Sequence, residues 1–156
     1  LIAAGASLES PHDQPARLVL AGPGPWQRLW PGNLPSQVEV RNRLIGDAEG
    51  VELFSRCGLL ILPYLDATQS ALVAAAYYFR KPVIVARTGA LPEYVTPGRT
   101  GWLVPPGDVQ ALADTLAEAL ADSSRLRWMG EAGRAWYEEQ KSREEDTLRL
   151  LYGRYT

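Results

Sequence analysis

Thr68, Gln69 and Ser70 set two hydroxyls and an amide side by side at the start of a stretch with helical spacing that runs to Phe79. The first N–H groups of a helix have no partner within it and carry the positive end of its dipole. Hydroxyls at that point cap the helix, and the same groups can receive an anion such as a phosphate. Thr68 and Ser70 are both candidates for the cap. Other chemistry-bearing residues fall just after apolar runs: Gly22-Pro23-Gly24, Arg41-Asn42-Arg43, and Arg87-Thr88-Gly89. Glycines permit close backbone approach and arginines supply positive charge, so the combination suits an anionic ligand. No Gly-x-Gly-x-x-Gly and no Gly-Lys-Ser/Thr loop occurs, which leaves NAD-type and Walker-type nucleotide binding without support.

The elements that must position these residues alternate between short β-branched runs and longer helical ones. Arg17–Ala21, Val38–Val40, Leu59–Leu62, Pro82–Ala86 and Trp102–Val104 read as strands. Leu59-Leu60-Ile61-Leu62 and Val83-Ile84-Val85 are continuously apolar, as expected of parallel strands buried on both faces. Asp47–Arg56 and Thr68–Phe79 read as helices. Three further helices are expected: one capped by Asp108 with Leu112, Leu116 and Leu120 on a stripe, a second carrying Leu126, Met129 and Ala132 after a break at Asp122-Ser123-Ser124, and a third from about Arg143. The alternation gives one α/β domain over residues 1–156, a Rossmann-like doubly wound parallel sheet with a helical C-terminal region from 107 to 156. Ligands of such sheets bind beyond the carboxyl ends of the strands, where the residues above collect.

Composition narrows the class. The chain has 156 residues, 46% of them hydrophobic, with 16 Lys+Arg against 18 Asp+Glu. That is enough chain for one well-buried core. A formal net charge of −2 disfavours bulk electrostatic binding of nucleic acid. Cys57 is the one cysteine, which rules out an internal disulfide framework and a Cys-rich zinc site. His12, the one histidine, reads as a solvated loop residue. Tyr77 and Tyr78 read as core or helix-face residues, and Trp26 and Trp30 as covers for a hydrophobic edge.

Four segments in this order resemble the C-terminal, donor-binding half of a family-4 (group 1) glycosyltransferase of the GT-B fold: Leu18–Pro25, Leu59–Tyr64, Lys81–Glu93 and Gly98–Asp108. The resemblance covers essentially the whole chain and implies a glycosyltransferase of hexosyltransferase type. Its C-terminal domain would bind a nucleoside-diphosphate sugar such as a UDP- or GDP-sugar, and a missing N-terminal domain would hold the acceptor. It further implies that the isolated chain is inactive, that no cofactor or metal is needed, and that the full-length protein is cytoplasmic or peripheral at the inner membrane face. Bacterial polysaccharide or glycolipid assembly is the family's usual setting. The family's first strand, central in the order 3-2-1-4-5-6, and its diphosphate-binding Arg and Lys fall upstream of Leu1, so either omitted upstream residues or an altered sheet is expected.

By resemblance, Gly22 and Gly24 lie beside the donor, Asn42, Arg43 and Leu44 border the nucleobase, Thr68, Gln69 and Ser70 hold the diphosphate with Ala71 next to them in the nucleotide-sugar site, and Gly89 to Glu93 shape the sugar side. No catalytic residue is assigned. The family's Glu-x7-Glu pair falls on Ala67 and Ala75, and Ala-Thr-Gln-Ser (67–70) resembles a variant of that site. Ala71 and Arg80 stand where the variant commonly has glycine, and Arg80 should then need φ > 0. Two alternatives stay open: a degenerate, non-catalytic GT-B-like module with a structural or regulatory role, and a sugar-nucleotide enzyme such as an epimerase on the related fold.

Overall fold

The computed structural model describes residues 16–25, 32–68 and 70–152. Strands β1 (Leu18–Ala21) and β2 (Val38–Arg41) pair in parallel, Leu18 opposite Val38 and Ala21 opposite Arg41. Strands β3 (Leu60–Leu62), β4 (Val83–Ala86) and β5 (Gly101–Val104) form a second parallel sheet in the order β3-β4-β5. Helix α1 (Asp47–Arg56) connects β2 to β3, and α2 (Ala71–Tyr78) connects β3 to β4. A short 3-10 helix (Leu91–Tyr94) precedes β5, followed by α3 (Val109–Ala121) and α4 (Ser123–Tyr152).

The continuous apolar runs are explained by a core on each face of the β3-β4-β5 sheet. Side chains alternate along a strand. Ile61, Ile84, Trp102 and Val104 meet Ala119, Leu126 and Met129 on one face. Leu60, Leu62, Val83 and Val85 meet Val73, Ala76, Tyr77, Leu91 and Val95 on the other. Leu60, Ile61, Leu62 and all four β4 residues are at most 4% exposed. Helix α4 serves both layers: Leu126 and Met129 lie in the first, while Trp136 and Tyr137 pack on the second. It lies so close to α2 that a Cβ on Gly130 would sit 2.0 Å from the Arg80 carbonyl oxygen, and one on Gly133 2.5 Å from the Tyr77 ring.

The described strands form two separate parallel sheets. Among the described residues no strand pairing joins β1 to β3. A cavity of about 830 Å³ lies between them, lined by Val19 and Ala21 of β1, Leu60 of β3, and Phe54, Leu72 and Phe79 of the helices.

Two expectations are corrected. The break at Asp122 is present, and its carboxylate accepts from Ser124 N and Arg125 N. Beyond it, however, the chain forms one helix from Ser123 to Tyr152, with no separate third helix near Arg143. Helix α2 begins at Ala71 and not at Thr68: Ser70 is the cap, its Oγ accepting from Leu72 N at 3.3 Å. Arg80 does take φ 55°, among the described residues the one non-glycine with positive φ. Asp108 caps α3 by accepting from Ala111 N at 2.9 Å.

Candidate functional site

The loops after β3 and β4 are fastened to one another, and the loop after β5 approaches the first. Ala90 N donates to the Thr68 carbonyl at 3.1 Å. Gly89 has φ 53°, and a Cβ there would lie 1.6 Å from the Ala67 carbonyl oxygen. Only glycine fits a left-handed residue pressed so closely onto another backbone. On the β5 side, a Cβ on Gly107 would lie 3.5 Å from Leu65 Cδ2. Thr68, Ser70, Ala71 and Gly89 are therefore gathered around the start of α2. Thr68 and Ala71 are exposed and Ser70 is half-buried. Glu93 is exposed within the 3-10 helix, its N–H donating to Ala90 O at 3.0 Å. A carboxylate in a first helical turn is electrostatically favourable, so its position has a local structural cause as well. Gln69, Trp26, Trp30 and His12 lie outside the described residues.

The turns after β1 and β2 form a second group. Gly22 takes φ 121° and its N–H donates to Arg41 O at 3.1 Å. Gly24 N donates to Asn42 Oδ1 at 2.8 Å, so Asn42 pins the glycine turn. Leu44 is 82% exposed. Gly22, Pro23 and Leu44 line one side of the cavity, and Leu72 and Ala75 of α2 the other. Thr68, Ser70, Ala71 and Gly89 are not among the residues that line the cavity, so it borders the second group and the side of α2 that carries Ala75, where the resemblance puts the second glutamate.

The cations of the second group are neutralised. Glu49, in the first turn of α1, receives both nitrogens of the Arg43 fork, at 2.5 and 2.8 Å, and Arg41 Nη1 at 3.0 Å. Arg41 Nε also donates to Glu39 at 2.7 Å. The hydrogen bonds from Arg43 and Arg41 hold the Glu49 carboxyl below the usual carboxylate range, and those to Glu39 and Glu49 raise Arg41. The sequence reading missed this acid partner. Its signal was an acidic residue at the start of the next helix, where the dipole favours it. The exposed Arg87, first residue after β4, has no ion pair among the described residues; the sequence placed it at a strand end but not among the binding residues.

Behind the site, Tyr77 is fully buried. Its hydroxyl donates to Tyr94 O at 3.0 Å and shares a 2.8 Å hydrogen bond with the Thr100 hydroxyl, which accepts from Thr96 N. Burial pushes the Tyr77 phenol up to about 12. Burial likewise raises the Cys57 thiol. A raised pKa leaves a thiol in its unreactive form, which fits a structural cysteine. Among the described residues no helix is long and apolar enough to cross a membrane, and no group of three or more His, Cys, Asp or Glu could hold a metal ion.

Comparison with known proteins agrees with this architecture. The family model for Glycosyl transferases group 1 matches residues 1–122. The chain is 31% identical over 137 residues to the MMP alpha-(1->4)-mannosyltransferase of Mycolicibacterium hassiacum, a match covering 86% of this chain and 33% of that protein. It is 30% identical over 128 residues to the N-acetyl-alpha-D-glucosaminyl L-malate synthase of Bacillus anthracis, covering 80% and 33%. A shorter match, 44% over 55 residues, is to the GDP-mannose-dependent alpha-(1-6)-phosphatidylinositol monomannoside mannosyltransferase of Mycolicibacterium smegmatis, covering 35% of this chain and 14% of that protein. The chain therefore spans a third or less of the length of these relatives. Among solved structures, sucrose-phosphate synthase from Thermosynechococcus elongatus superposes with a TM-score of 0.70 at 26% identity, covering 89% of this chain and 39% of that one. Anabaena HepE in complex with UDP superposes with a TM-score of 0.68 at 19% identity, covering 86% and 41%, and so shares the fold. By the family match, the two relatives matched over most of the chain and the superposed structure together, this chain belongs to the group 1 glycosyltransferases and has the architecture of the C-terminal domain of their GT-B fold.

Proposed function

We propose that the chain is the donor-binding domain of a glycosyltransferase, holding a nucleoside-diphosphate sugar for transfer to an acceptor bound by a separate N-terminal domain. The observation that carries this reading is the fastening of the 65–70 loop to the 88–90 loop at the start of α2. It fixes the Ser70-capped helix start and the Gly89 backbone side by side, where a diphosphate and a hexose would lie next to one another. The name of one relative specifies a GDP-mannose donor, and a structural neighbour was solved with UDP. GDP-mannose is accordingly the first donor to test and UDP-glucose the second.

In the reaction so read, the acceptor's nucleophilic atom bonds to the anomeric carbon and gives up its proton, while the bond from that carbon to the diphosphate oxygen breaks and its electron pair leaves with the nucleoside diphosphate. This chain's part is to bind and to stabilise that leaving charge. The helix N-terminus and cationic side chains do so, with no metal required. Asn42 holds the Gly24 turn in place to face the nucleoside, while Arg43, committed to Glu49, contributes through its backbone. Calorimetric titration of the full-length protein with GDP, UDP and the two sugar nucleotides tests the reading. Binding of one nucleotide series below millimolar concentration supports it, and absence of all binding refutes it.

Ala67 and Ala75 favour a second reading, a degenerate module without catalysis. The Ala75 methyl lies in an apolar cavity wall and offers nothing to a ribose. That reading requires no nucleotide binding in the full-length protein and no gain from Ala75→Glu.

A further inference from the structure

We propose that Arg87 is a donor-site residue whose guanidinium pairs with the diphosphate of the nucleotide; this rests on the donor-domain reading above. Position is the first argument. Arg87 follows Ala86 directly, and its own N–H donates to Val104 O at 2.8 Å, which fixes its backbone at the carboxyl end of β4. Within three residues the chain turns back: Thr88 N donates to Ala86 O at 2.9 Å and Ala90 N to Thr68 O. Arg87 thus stands at the edge of the loop cluster that surrounds the start of α2.

Charge is the second argument. Arg41 and Arg43 lie at the end of β2 and are held by Glu39 and Glu49. Arg87 is the cation at the carboxyl ends of the described strands that has no acid partner among the described residues. Arg99, also exposed and without an ion pair there, lies before β5, at the opposite end of the sheet. An exposed arginine with no partner contributes little to folding, since even paired surface charges are worth ~0–1 kcal/mol. A guanidinium fork does match a phosphate, with two parallel N–H bonds to its oxygens. The diphosphate otherwise meets neutral donors here, the Ser70 and Thr68 hydroxyls and backbone N–H groups. A single positive charge beside them therefore changes the balance for a diphosphate that gains a further negative charge as it leaves.

The test uses the full-length protein with Arg87→Gln, Arg87→Lys and, as a control, Arg99→Gln. Calorimetry measures affinity for the nucleoside diphosphate and for the nucleoside, and steady-state kinetics measures KM for the acceptor. The expected result is at least about tenfold weaker diphosphate binding in Arg87→Gln and partial recovery in Arg87→Lys, with Arg99→Gln unchanged. Nucleoside affinity, acceptor KM and thermal midpoint should stay level across all three. Unchanged diphosphate affinity in Arg87→Gln alongside good wild-type binding overturns the role of Arg87 and leaves the donor-domain reading standing. A rise in acceptor KM alone overturns it as well, by assigning the charge to the acceptor. Wild-type protein that binds no nucleotide removes both.

Discussion

Replacing Gly89 by alanine should open the candidate site, and the effect can be sized from the structure. The added Cβ would lie 1.6 Å from Ala67 O, 2.8 Å from Ala67 C and 3.1 Å from Thr68 O. All three are backbone atoms, so no side chain can rotate aside. Ordinary contact requires the loops to part by about 2 Å, enough to break the 3.1 Å bond from Ala90 N to Thr68 O. Holding alanine in the left-handed region costs about 1–2 kcal/mol, and loss of the hydrogen bond adds about 1 kcal/mol. Gly98 provides the control. It also has positive φ, 75°, but an added Cβ there meets nothing within 4 Å. Gly98→Ala should therefore cost only the backbone term. Urea unfolding followed by tryptophan fluorescence should show Gly89→Ala more destabilised than Gly98→Ala by about 1 kcal/mol. Amide hydrogen exchange at Ala90 should accelerate about tenfold in Gly89→Ala alone. Equal destabilisation by the two substitutions, with exchange at Ala90 unaltered, would refute the argument that Gly89 fastens the two loops.

Other consequences concern the support behind the site. The Tyr77 phenol is raised to about 12 in the folded chain, against about 10 when unfolded. Below pH 10 both states keep the proton and the term is fully present. Between pH 10 and 12 the unfolded chain loses its proton first, and stability should fall by about 3 kcal/mol. Tyr77→Phe should remove that extra alkaline slope in stability measured against pH, and a slope identical to wild type would contradict it. Arg80→Gly relieves φ 55° at the cost of an exposed ion pair with Glu131 at 3.2 Å. It should stabilise by about 0.5–1 kcal/mol in denaturant titration; a loss of stability would show that the left-handed arginine carries no strain.

The β3-β4-β5 sheet was legible in the sequence because burial on both faces leaves a continuous apolar run, as in Leu60-Ile61-Leu62 and Val83-Ile84-Val85. Asp47–Arg56 and the Asp108 cap were legible for the complementary reason, a helical stripe or a side chain that must accept from an orphan N–H. The unbroken α4 was not. Residues 138 to 147 carry no apolar stripe and are exposed except at Gln140; ion pairs one turn apart, Arg134 with Glu138 and Arg143 with Glu139, accompany the helix there. Periodicity cannot register such a segment. Ser70 and Thr68 were indistinguishable as caps by type. The difference is conformational: Ser70 takes the extended φ −146°, ψ 117° of a capping residue, whereas the Thr68 carbonyl is bonded to the next loop. Glycine at 89 was visible as part of a motif, but its steric necessity depends on Ala67, twenty-two positions earlier, brought to it by the sheet.

Amide hydrogen exchange of the full-length protein with and without its nucleoside diphosphate tests the central claim most directly. The account predicts slowed exchange in two stretches, the amides at Ser70 to Leu72 and those at Thr88 to Ala90, with the Thr96 to Gly101 turn at the opposite end of the sheet unchanged. Protection confined to that opposite turn, or none at the start of α2 under saturating nucleotide, would contradict it.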